Sequence, residues 1–417
     1  MISVEKFINV LDEQLLYPLL IHSWCFDPRY STDVQNFAPP DSQLNYDDER
    51  GPGRTSGICN WWHEEPLNID DLEKLKYREL YKLPDRSSCE YYVAPGPPTQ
   101  EGIFNTMYDV NFHLFANSEK STLKKSFLKD WRVYDWYFFF HGFAALDWYR
   151  DYKYLNYNSN NISKVFICLN HIIKNNRSYR LNLLSHIKKN NLHLRGFISA
   201  PLLTKNTIKE EVFDPNTKLS TDAKKHIITN LFQTASPILL DQVNYNQTSA
   251  DIISPMYQSR SLWNVVTETV FYEDKLHLTE KIFKPIVTKR PFILVGGHGN
   301  LAYLKSYGFK TFDRWIDESY DEEPDPDIRI FKIANELKKL CAMSQRDILT
   351  MYYEMSQVLE YNHNHFFYDF KKIIVNELVD NFEVCTKQYN LGRSDIDRHR
   401  LPVEKIDFEQ VKKFLLR

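Results

Sequence analysis

The chain has 417 residues, enough for two domains of ordinary size or for one large α/β domain with an insertion. Apolar residues make up 43% of it and aromatic residues 15%. This composition can fill a hydrophobic core and excludes intrinsic disorder. The net charge of −3 excludes a protein that coats nucleic acid through bulk positive charge.

Cysteine spacing and hydropathy predict the cellular compartment of the chain. The six cysteines lie far apart in the sequence, without a CxxC pair and without a histidine at zinc-ligand spacing. This pattern predicts buried free thiols in a reducing compartment. They are Cys25, Cys59, Cys89, Cys168, Cys341 and Cys385. Asp12 and Glu13 interrupt the first apolar positions. No stretch approaches the ~20 apolar residues of a membrane helix. We therefore expect a cytoplasmic chain without a membrane span.

The first part of the chain combines long loops with one α/β unit. Apolar positions at helical spacing predict an amphipathic helix over residues 1–22. Residues 36–60 and 94–102 collect Pro, Gly, Asp and Ser, which are loop signals. An apolar strand, a tight turn and a helix follow. They are predicted at Val133–Phe140, at His141-Gly142 and over Phe143–Tyr152.

From residue 164 onward, short apolar strands alternate with helical patterns, which predicts βαβ units and a parallel sheet. Residues 155–163 are turn-rich and predict a domain boundary, and a second polar gap spans 204–228. The predicted strands are Lys164–Leu169, Gly196–Ser199, Ser261–Phe271 and Pro291–Val295. The predicted helices are Tyr179–Lys189, Glu280–Thr288, Leu301–Tyr307, Ala334–Leu340 and Ile348–Leu359.

Positive charge is concentrated in one segment. Between Tyr152 and Lys209 there are ten lysines and arginines and no acidic residue. Ordinary surfaces intersperse both signs, so this excess indicates an anion site as an alternative to a solvated face. The loop Asn170–Arg180 follows a strand and precedes a helix, where guanidiniums and helix N–H groups suit a phosphate-bearing ligand.

A glycine-rich loop gives a second phosphate candidate. Gly297-His-Gly-Asn-Leu-Ala302 fits G-x-G-x-x-G/A after a strand and before a helix, with Asp317 about twenty residues further on. The fingerprint normally opens a nucleotide domain, whereas here an α/β domain is already well advanced. We therefore interpret this loop as evidence for a nucleotide ligand more than for a hydride carrier.

Two acid-bearing motifs stand upstream of that loop, Thr267-Glu268-Thr269 and Leu278-Thr279-Glu280-Lys281. Thr279 is a plausible N-cap, Glu280 can accept from ribose hydroxyls, and the Lys281 ammonium can meet a phosphate or a developing leaving-group charge. An ordinary capped helix fits the same tripeptide.

The blocks Asn264–Tyr272, Leu278–Ile286 and Arg290–Gly296 resemble the donor-binding region of nucleotide-sugar glycosyltransferases. They are most similar to the α1,3-fucosyltransferase-like families and their bacteriophage relatives. The resemblance implies that Arg180, or alternatively Arg177, contacts the donor diphosphate together with Lys281, and that Glu280 contacts the nucleoside. His277 stands where that family often has tyrosine. Glu268, Thr279 and Gly297 complete the expected donor-binding set.

This resemblance implies an α/β protein of GT-B architecture, with two Rossmann-like domains facing across a cleft. The expected division is an acceptor domain over residues 1–160, a donor domain over 161–380 and a helical C-terminal tail over 381–417. The expected activity is metal-independent, inverting transfer from a UDP- or GDP-linked sugar, with no other cofactor. The only D-x-D matches, Asp325–Asp327 and Asp395–Asp397, lie in polar late segments, so cationic side chains would replace the metal. The expected acceptor is a glycan or a 5-hydroxymethylpyrimidine in phage DNA.

The catalytic base stays open among several residues. His141 and Asp147 lie near the end of the Val133–Phe140 strand, and Asp147 can instead pair with Arg150. Asp135 and Glu64-Glu65 are further candidates. Two other functional classes also remain. One is an NAD-dependent oxidoreductase that uses the Gly297–Ala302 loop, and the other is a non-enzymatic virion or scaffold protein.

Overall fold

The structure, a computed structural model, describes residues 120, 139–154, 162–240, 255–272, 275–391 and 406–417, together with four earlier strands. It is a mixed α/β protein with two four-stranded parallel sheets, which confirms the predicted α/β class. The chain divides into two compact units. Unit 1 comprises Met1–Phe143 and Lys372–Arg417, and unit 2 comprises Ala144–Lys371.

Unit 1 contains the first sheet, whose strands follow one another in chain order. They are β1 (Ile21–Cys25), β2 (Gly57–Trp62), β3 (His113–Asn117) and β4 (Val133–Tyr137). All three pairings are parallel. Trp136 of β4 packs edge-on against Phe382, with ring centroids 5.3 Å apart, and the Asn381 amide donates to the Tyr137 carbonyl at 3.3 Å. These contacts attach the C-terminal helical segment to the last strand of the sheet.

Unit 2 contains the second sheet, in which the strand order reverses direction. Its strands are β5 (Lys164–Leu169), β6 (Gly196–Ser199), β7 (Ser261–Thr267) and β8 (Phe292–Val295). They lie in the order β6-β5-β7-β8, all parallel. Runs such as Val-Phe-Ile-Cys-Leu and Phe-Ile-Leu-Val suit strands covered by helices on both faces, and β7 and β8 are buried throughout.

Twelve α-helices are seen in the described part of the chain. They are α1 (Phe140–Trp148), α2 (Tyr179–Lys189), α3 (Lys205–Phe213), α4 (Thr221–Asn230), α5 (Pro255–Gln258), α6 (Phe283–Val287), α7 (Asn300–Ser306), α8 (Pro326–Ala342), α9 (Gln345–Glu354), α10 (Ser356–His365), α11 (Lys371–Leu391) and α12 (Phe408–Leu416). Three-residue 3₁₀ turns precede α2 and α6, at Asn175–Arg177 and Glu280–Ile282. The strands predicted at Lys164–Leu169 and Gly196–Ser199 and the helix Tyr179–Lys189 are confirmed. The other two predicted strands are present but shorter, because β7 ends at Thr267 instead of Phe271 and β8 begins at Phe292 instead of Pro291.

Several expectations are corrected. The polar gap predicted over 204–228 holds the helices α3 and α4, each N-capped by a hydroxyl: Thr204 accepts from Thr207 N, and Ser220 from Ala223 N, both at 3.0 Å. His141 and Gly142 belong to helix α1 and form no tight turn. The predicted helix over 1–22 lies outside the described residues except for its last two, which begin strand β1.

Unit boundaries fall at 143/144 and 371/372, whereas the predicted domain boundaries are 160/161 and 380/381. The predicted start of a separate tail at residue 381 lies inside the continuous helix α11, so this point is no break in secondary structure. The division into acceptor domain, donor domain and tail stays a prediction.

Candidate functional site

The candidate site lies at the carboxyl edge of the unit 2 sheet, where the chain changes direction. From β5 the chain moves to β6 on one side, and then crosses to β7 on the other side. Ligands of open α/β sheets bind at such a switch point, outside the carboxyl ends of the two diverging strands. Here those strands are β5 and β7. Their ends are joined by the Thr267 hydroxyl, which donates to Asn170 Oδ1 at 3.1 Å.

Arg180 ties the loops after β5 and β7 together. Its Nη1 donates to the Ile172 carbonyl at 2.8 Å, and its Nη2 donates to the carbonyls of Thr267 at 2.8 Å and Glu268 at 3.1 Å. Its Nε also reaches the Tyr179 hydroxyl at 3.3 Å. The side chain is buried. Every nitrogen of this guanidinium is therefore engaged with the protein itself.

Aromatic rings and a second buried arginine hold the loop that follows β7. Tyr179 stacks on Phe271 with ring centroids 4.1 Å apart and 15° between the ring planes, and its hydroxyl donates to the Glu268 carbonyl. On the far side, Arg329 lies 4.5 Å from the Phe271 ring centroid and donates to the Phe271 carbonyl at 2.9 Å. The loop Glu268–Tyr272 is thus fixed by groups from α2 and α8.

Glu268 connects this loop to the Thr-Glu-Lys motif. Its carboxylate is fully buried, and its Oε2 accepts from the Thr279 backbone N–H at 3.2 Å and from the Thr279 hydroxyl. Thr279 is the N-cap of the 3₁₀ turn Glu280–Ile282, and its oxygen accepts from Lys281 N at 3.4 Å. The predicted N-cap role of Thr279 is therefore confirmed.

Lys281 is the most accessible of the eight residues predicted to bind the donor. The other seven are buried, whereas 35% of the Lys281 side chain is exposed. Its Nζ contacts Glu280 Oε1 at 3.1 Å and Thr279 Oγ1 at 3.2 Å. An ammonium carries three hydrogens, and in the described part of the chain these two oxygens are its hydrogen-bond acceptors. The third hydrogen lies outside these two contacts.

The loop after β5 carries Arg177 and His171 to the same edge. Arg177 is buried, and its Nη2 reaches Thr269 Oγ1 at 3.4 Å, next to Glu268 in the chain. Burial, reinforced by the charges of Arg180 and Arg177, lowers the pKa of His171 below its ordinary value of 6.5. His171 is therefore neutral at pH 7, and the positive charge at this edge comes from arginine and lysine.

The glycine-rich loop after β8 is closed by an acid. Gly299 has a φ of +76°, a conformation that favours glycine, and it is the N-cap residue of helix α7. Asp321 accepts from the backbone N–H groups of Leu301 at 2.8 Å and Ala302 at 2.9 Å, and its carbonyl accepts from Gly299 N at 2.8 Å. These amides are the donors that a phosphate at this loop would use. The expected acid partner Asp317 instead accepts from Ser319 N.

His277 and Gly297 meet at Asn300 rather than at Lys281. The Asn300 side chain accepts from His277 N at 2.8 Å and donates to the Lys275 carbonyl at 2.9 Å, while its own N–H donates to the Gly297 carbonyl at 3.2 Å. Both predicted residues are buried. They brace the segment that leads into the Thr-Glu-Lys motif.

Both predicted catalytic residues lie on helix α1. His141 is buried, with its ring 5.1 Å from that of Phe140, and it belongs to unit 1. Asp147 belongs to unit 2 and pairs with Arg150 at 2.8 Å, as the sequence allowed. The side chains of Asp135, Glu64 and Glu65 lie outside the described residues.

Four cations of the predicted basic segment bind groups of the protein itself. Arg180 binds backbone carbonyls, Lys164 donates to the Leu194 carbonyl at 2.8 Å, and Arg195 donates to the Met343 carbonyl at 2.9 Å. Lys174 pairs with Glu210. The anion site expected from the other cations of this segment stays a prediction.

Metal and membrane features were also searched within the described residues. No three His, Cys, Asp or Glu side chains come together there as a possible metal site, and no helix there combines the length and apolar character needed to cross a bilayer. Asp325 of the first D-x-D match caps helix α8, accepting from Asp327 N at 2.9 Å and Ile328 N at 3.0 Å. The second match, Asp395–Asp397, lies outside the described residues. Cys168, Cys341 and Cys385 are free thiols, the first and last of them buried.

Sequence reasoning missed four residues that shape this edge: Asn170, Tyr179, Asn300 and Asp321. Asn170 and Asn300 each follow a strand by one to five residues, a position that favours polar groups at the edge of a parallel sheet. Tyr179 and Asp321 carry no comparable local signal. Comparison of the sequence with protein-family models and with curated proteins found no match.

Proposed function

We propose that the chain is a metal-independent, inverting glycosyltransferase of GT-B type. It moves a sugar from a UDP- or GDP-linked donor to a hydroxyl group of a glycan or of a 5-hydroxymethylpyrimidine in DNA. The observation that carries the proposal is the half-exposed Lys281 ammonium, held at 3.1 Å from Glu280 beside the switch point of a parallel sheet.

In the proposed reaction, the acceptor oxygen attacks the anomeric carbon while the bond from that carbon to the diphosphate breaks. The bonding electrons leave with the diphosphate, whose growing negative charge is stabilised by Lys281 and Arg177. A base, His141 or Asp147, takes the proton of the acceptor hydroxyl. Arg180 frames the site, because its guanidinium is already bonded to the carbonyls of Ile172, Thr267 and Glu268.

The test is turnover of nucleotide sugars by the full chain, measured as release of nucleoside diphosphate from UDP- and GDP-linked sugars. Lys281→Ala should lower kcat/KM by about a hundredfold, the effect of removing one preorganised charge-stabilising group. The matched control is Lys332→Ala. Lys332 is 36% exposed and lies 3.2 Å from Glu323, so its exposure and ion pair match those of Lys281, and it is not among the predicted donor-binding residues. The control should retain wild-type turnover.

Ligand stabilisation separates the proposal from the alternatives. A ligand at a hundred times its dissociation constant stabilises the folded chain by about 2.7 kcal/mol, which a thermal-shift titration detects. Stabilisation by NAD(H) alone would replace the proposal with a dinucleotide-dependent oxidoreductase. A chain that responds to no nucleotide and turns over no donor would fit a virion or scaffold protein.

The two acceptor classes differ in their dependence on salt. Binding to DNA weakens steeply as salt rises, because phosphate contacts release counterions. An electrophoretic mobility shift of hydroxymethylated duplex at low salt that is lost at high salt would select DNA. If mobility is unchanged at low salt, the glycan acceptor is the version to retain. Asp147→Asn and His141→Gln then identify the base, since only its loss should abolish transfer.

A further inference from the structure

We infer that Glu268 is a positioning residue rather than a donor ligand: acting through Thr279, it sets where the Lys281 ammonium points. Glu268 was expected to touch the donor, yet its carboxylate is fully buried. The statement that Lys281 contacts a donor rests on the proposed function. The placement of its side chain does not, because contacts within the folded chain set it.

The first step is the contact between Glu268 and Thr279. Glu268 Oε2 accepts from both the backbone N–H and the hydroxyl of Thr279. An ionised carboxylate only accepts hydrogen bonds, and a hydroxyl has a single hydrogen to give. The Thr279 hydroxyl therefore directs its hydrogen to Glu268 and its lone pairs elsewhere.

The second step is the contact between Thr279 and Lys281. The Thr279 oxygen accepts from Lys281 Nζ at 3.2 Å and from Lys281 N at 3.4 Å. Glu280 Oε1 holds the same ammonium from another direction at 3.1 Å. With two acceptors in place, the third ammonium hydrogen has a defined direction. Charge-assisted hydrogen bonds of this kind give geometry as well as energy.

The third step fixes Glu268 itself. Its carbonyl accepts from the Tyr179 hydroxyl and from Arg180 Nη2, the latter at 3.1 Å. Both donors belong to helix α2, which follows the β5 loop that carries Arg177. Contacts through Thr279 and Glu268 thus link the position of Lys281 to helix α2. This helix follows Arg177, the other cation proposed to stabilise the diphosphate.

Competitive labelling of lysines tests the inference without requiring any activity. Full-length chain is treated with a trace of acetic anhydride, and acetylation of individual lysines is measured by mass spectrometry. Removing the Thr279 hydroxyl with Thr279→Val should raise the labelling rate of Lys281 by roughly twofold or more, the low end of coupling within one hydrogen-bond network. Thr279→Ser keeps the hydroxyl and should preserve the slow rate. Glu268→Gln weakens the contact between residue 268 and Thr279, so it should raise the labelling rate of Lys281.

Lys332 is the internal control in every sample, because its exposure and ion pair match those of Lys281. If Lys332 also labels faster, the variant has loosened the fold, and Thr279→Ala replaces it as the test. Unchanged labelling of Lys281 in Thr279→Val, with Lys332 also unchanged, would overturn the inference.

Turnover of a nucleotide sugar gives the second arm. If Thr279 acts through Lys281, the double variant Thr279→Val/Lys281→Ala should lose no more kcat/KM than Lys281→Ala alone. If the loss of kcat/KM in the double variant equals the product of the losses in the two single variants, Thr279 acts independently of Lys281 and the inference is overturned. If wild type turns over no donor, the proposed function fails, while the labelling result still decides whether Glu268 positions Lys281.

Discussion

Two loops leave the same edge of the unit 2 sheet, and each leads to a candidate for phosphate binding: the glycine pattern after β8 and Lys281 after β7. The loop after β8 has the glycine pattern, but its helix N-terminus is occupied by the Asp321 carboxylate. The loop after β7 has no glycine pattern. Its Glu268 carbonyl accepts from the buried Arg180, and the loop leads to the partly exposed Lys281. A phosphate motif whose donors are already bonded within the protein is therefore a weaker candidate than a cation with a hydrogen left to donate.

The same distinction separates the cations at this edge. Arg180 is buried and bonded to three carbonyls, so it has the properties of a structural clamp. The Lys281 ammonium has two acceptors within the described part of the chain, which leaves its third hydrogen outside these contacts. The variants below test this contrast, in order of expected effect.

Arg180→Ala should have the largest effect on stability. It leaves the carbonyls of Ile172, Thr267 and Glu268 without their buried donor, at about 1 kcal/mol or more each. We expect the free energy of unfolding, measured by urea titration, to fall by about 3 kcal/mol or more. Arg180→Lys keeps the charge but lacks the planar fork, so it should recover only part of this loss.

The contrast between Arg180 and Lys281 fails if Arg180→Ala has wild-type stability and loses nucleotide binding. Arg180 would then be a donor ligand, as the resemblance implied. Lys281→Ala should show the opposite pattern, with unfolding unchanged within about 0.5 kcal/mol because the side chain is partly exposed.

Asp321→Ala should have the next largest effect, about 2 kcal/mol of destabilisation, because it leaves the Leu301 and Ala302 amides without their acceptor. Asp317→Ala is the matched control, since this exposed acid accepts from Ser319 N within its own turn. It should change stability by less than about 0.5 kcal/mol. Equal effects of the two substitutions would remove the distinction between the loops after β7 and β8.

The elements that the sequence predicted correctly rest on local patterns. The strands of unit 2 are short apolar runs bounded by turn residues, and Thr279 caps the turn that it immediately precedes. Helices α3 and α4 had local signals too, in Thr204 and Ser220 as caps and in buried Ile208, Val212, Ala223 and Ile227. Their polar solvent faces concealed that pattern.

The roles of Arg180 and Asp321 were not predictable from local sequence. The acceptors of Arg180 lie at residues 172, 267 and 268, and two of them are almost ninety positions away in the chain. Asp321 reaches helix α7 across about twenty residues, and the spacing rule pointed to Asp317 instead. Counting charges could not reveal these contacts either, because the backbone carbonyls that bind Arg180, Lys164 and Arg195 carry no net charge.

Tyr179→Phe should have a smaller effect than either Arg180→Ala or Asp321→Ala. It removes the hydroxyl that donates to the Glu268 carbonyl but keeps the ring stacked on Phe271 at 4.1 Å. We expect the free energy of unfolding to fall by about 1 kcal/mol, since Arg180 still donates to the same carbonyl. A loss equal to that of Arg180→Ala would show that the hydroxyl, rather than the guanidinium, holds this loop.

The smallest predicted effect is the pH dependence of the free energy of unfolding that arises from the Asp321 carboxyl. Burial raises its pKa above the ordinary value of 3.8, although the Leu301 and Ala302 amides oppose the shift. Between the ordinary and the raised pKa the folded chain therefore binds more protons at this site than the unfolded chain does. The stability that protonation of this group adds to the folded chain is present below about pH 4 and is lost as the pH rises through the raised pKa. The hydrogen bonds from the Leu301 and Ala302 amides are accepted by the ionised carboxylate as well.

Asp321→Asn has no carboxyl at this position, so it isolates the titration of Asp321. The free energy of unfolding of wild type minus that of Asp321→Asn should decrease from pH 4 to pH 7 in a series of urea titrations. Other acids with shifted pKa values, such as Glu211, cancel in this difference because both chains contain them. A difference that increases with pH would mean that the two amide donors outweigh burial. The loop after β8 would then hold an anion by preference, and it would again be a candidate for phosphate binding.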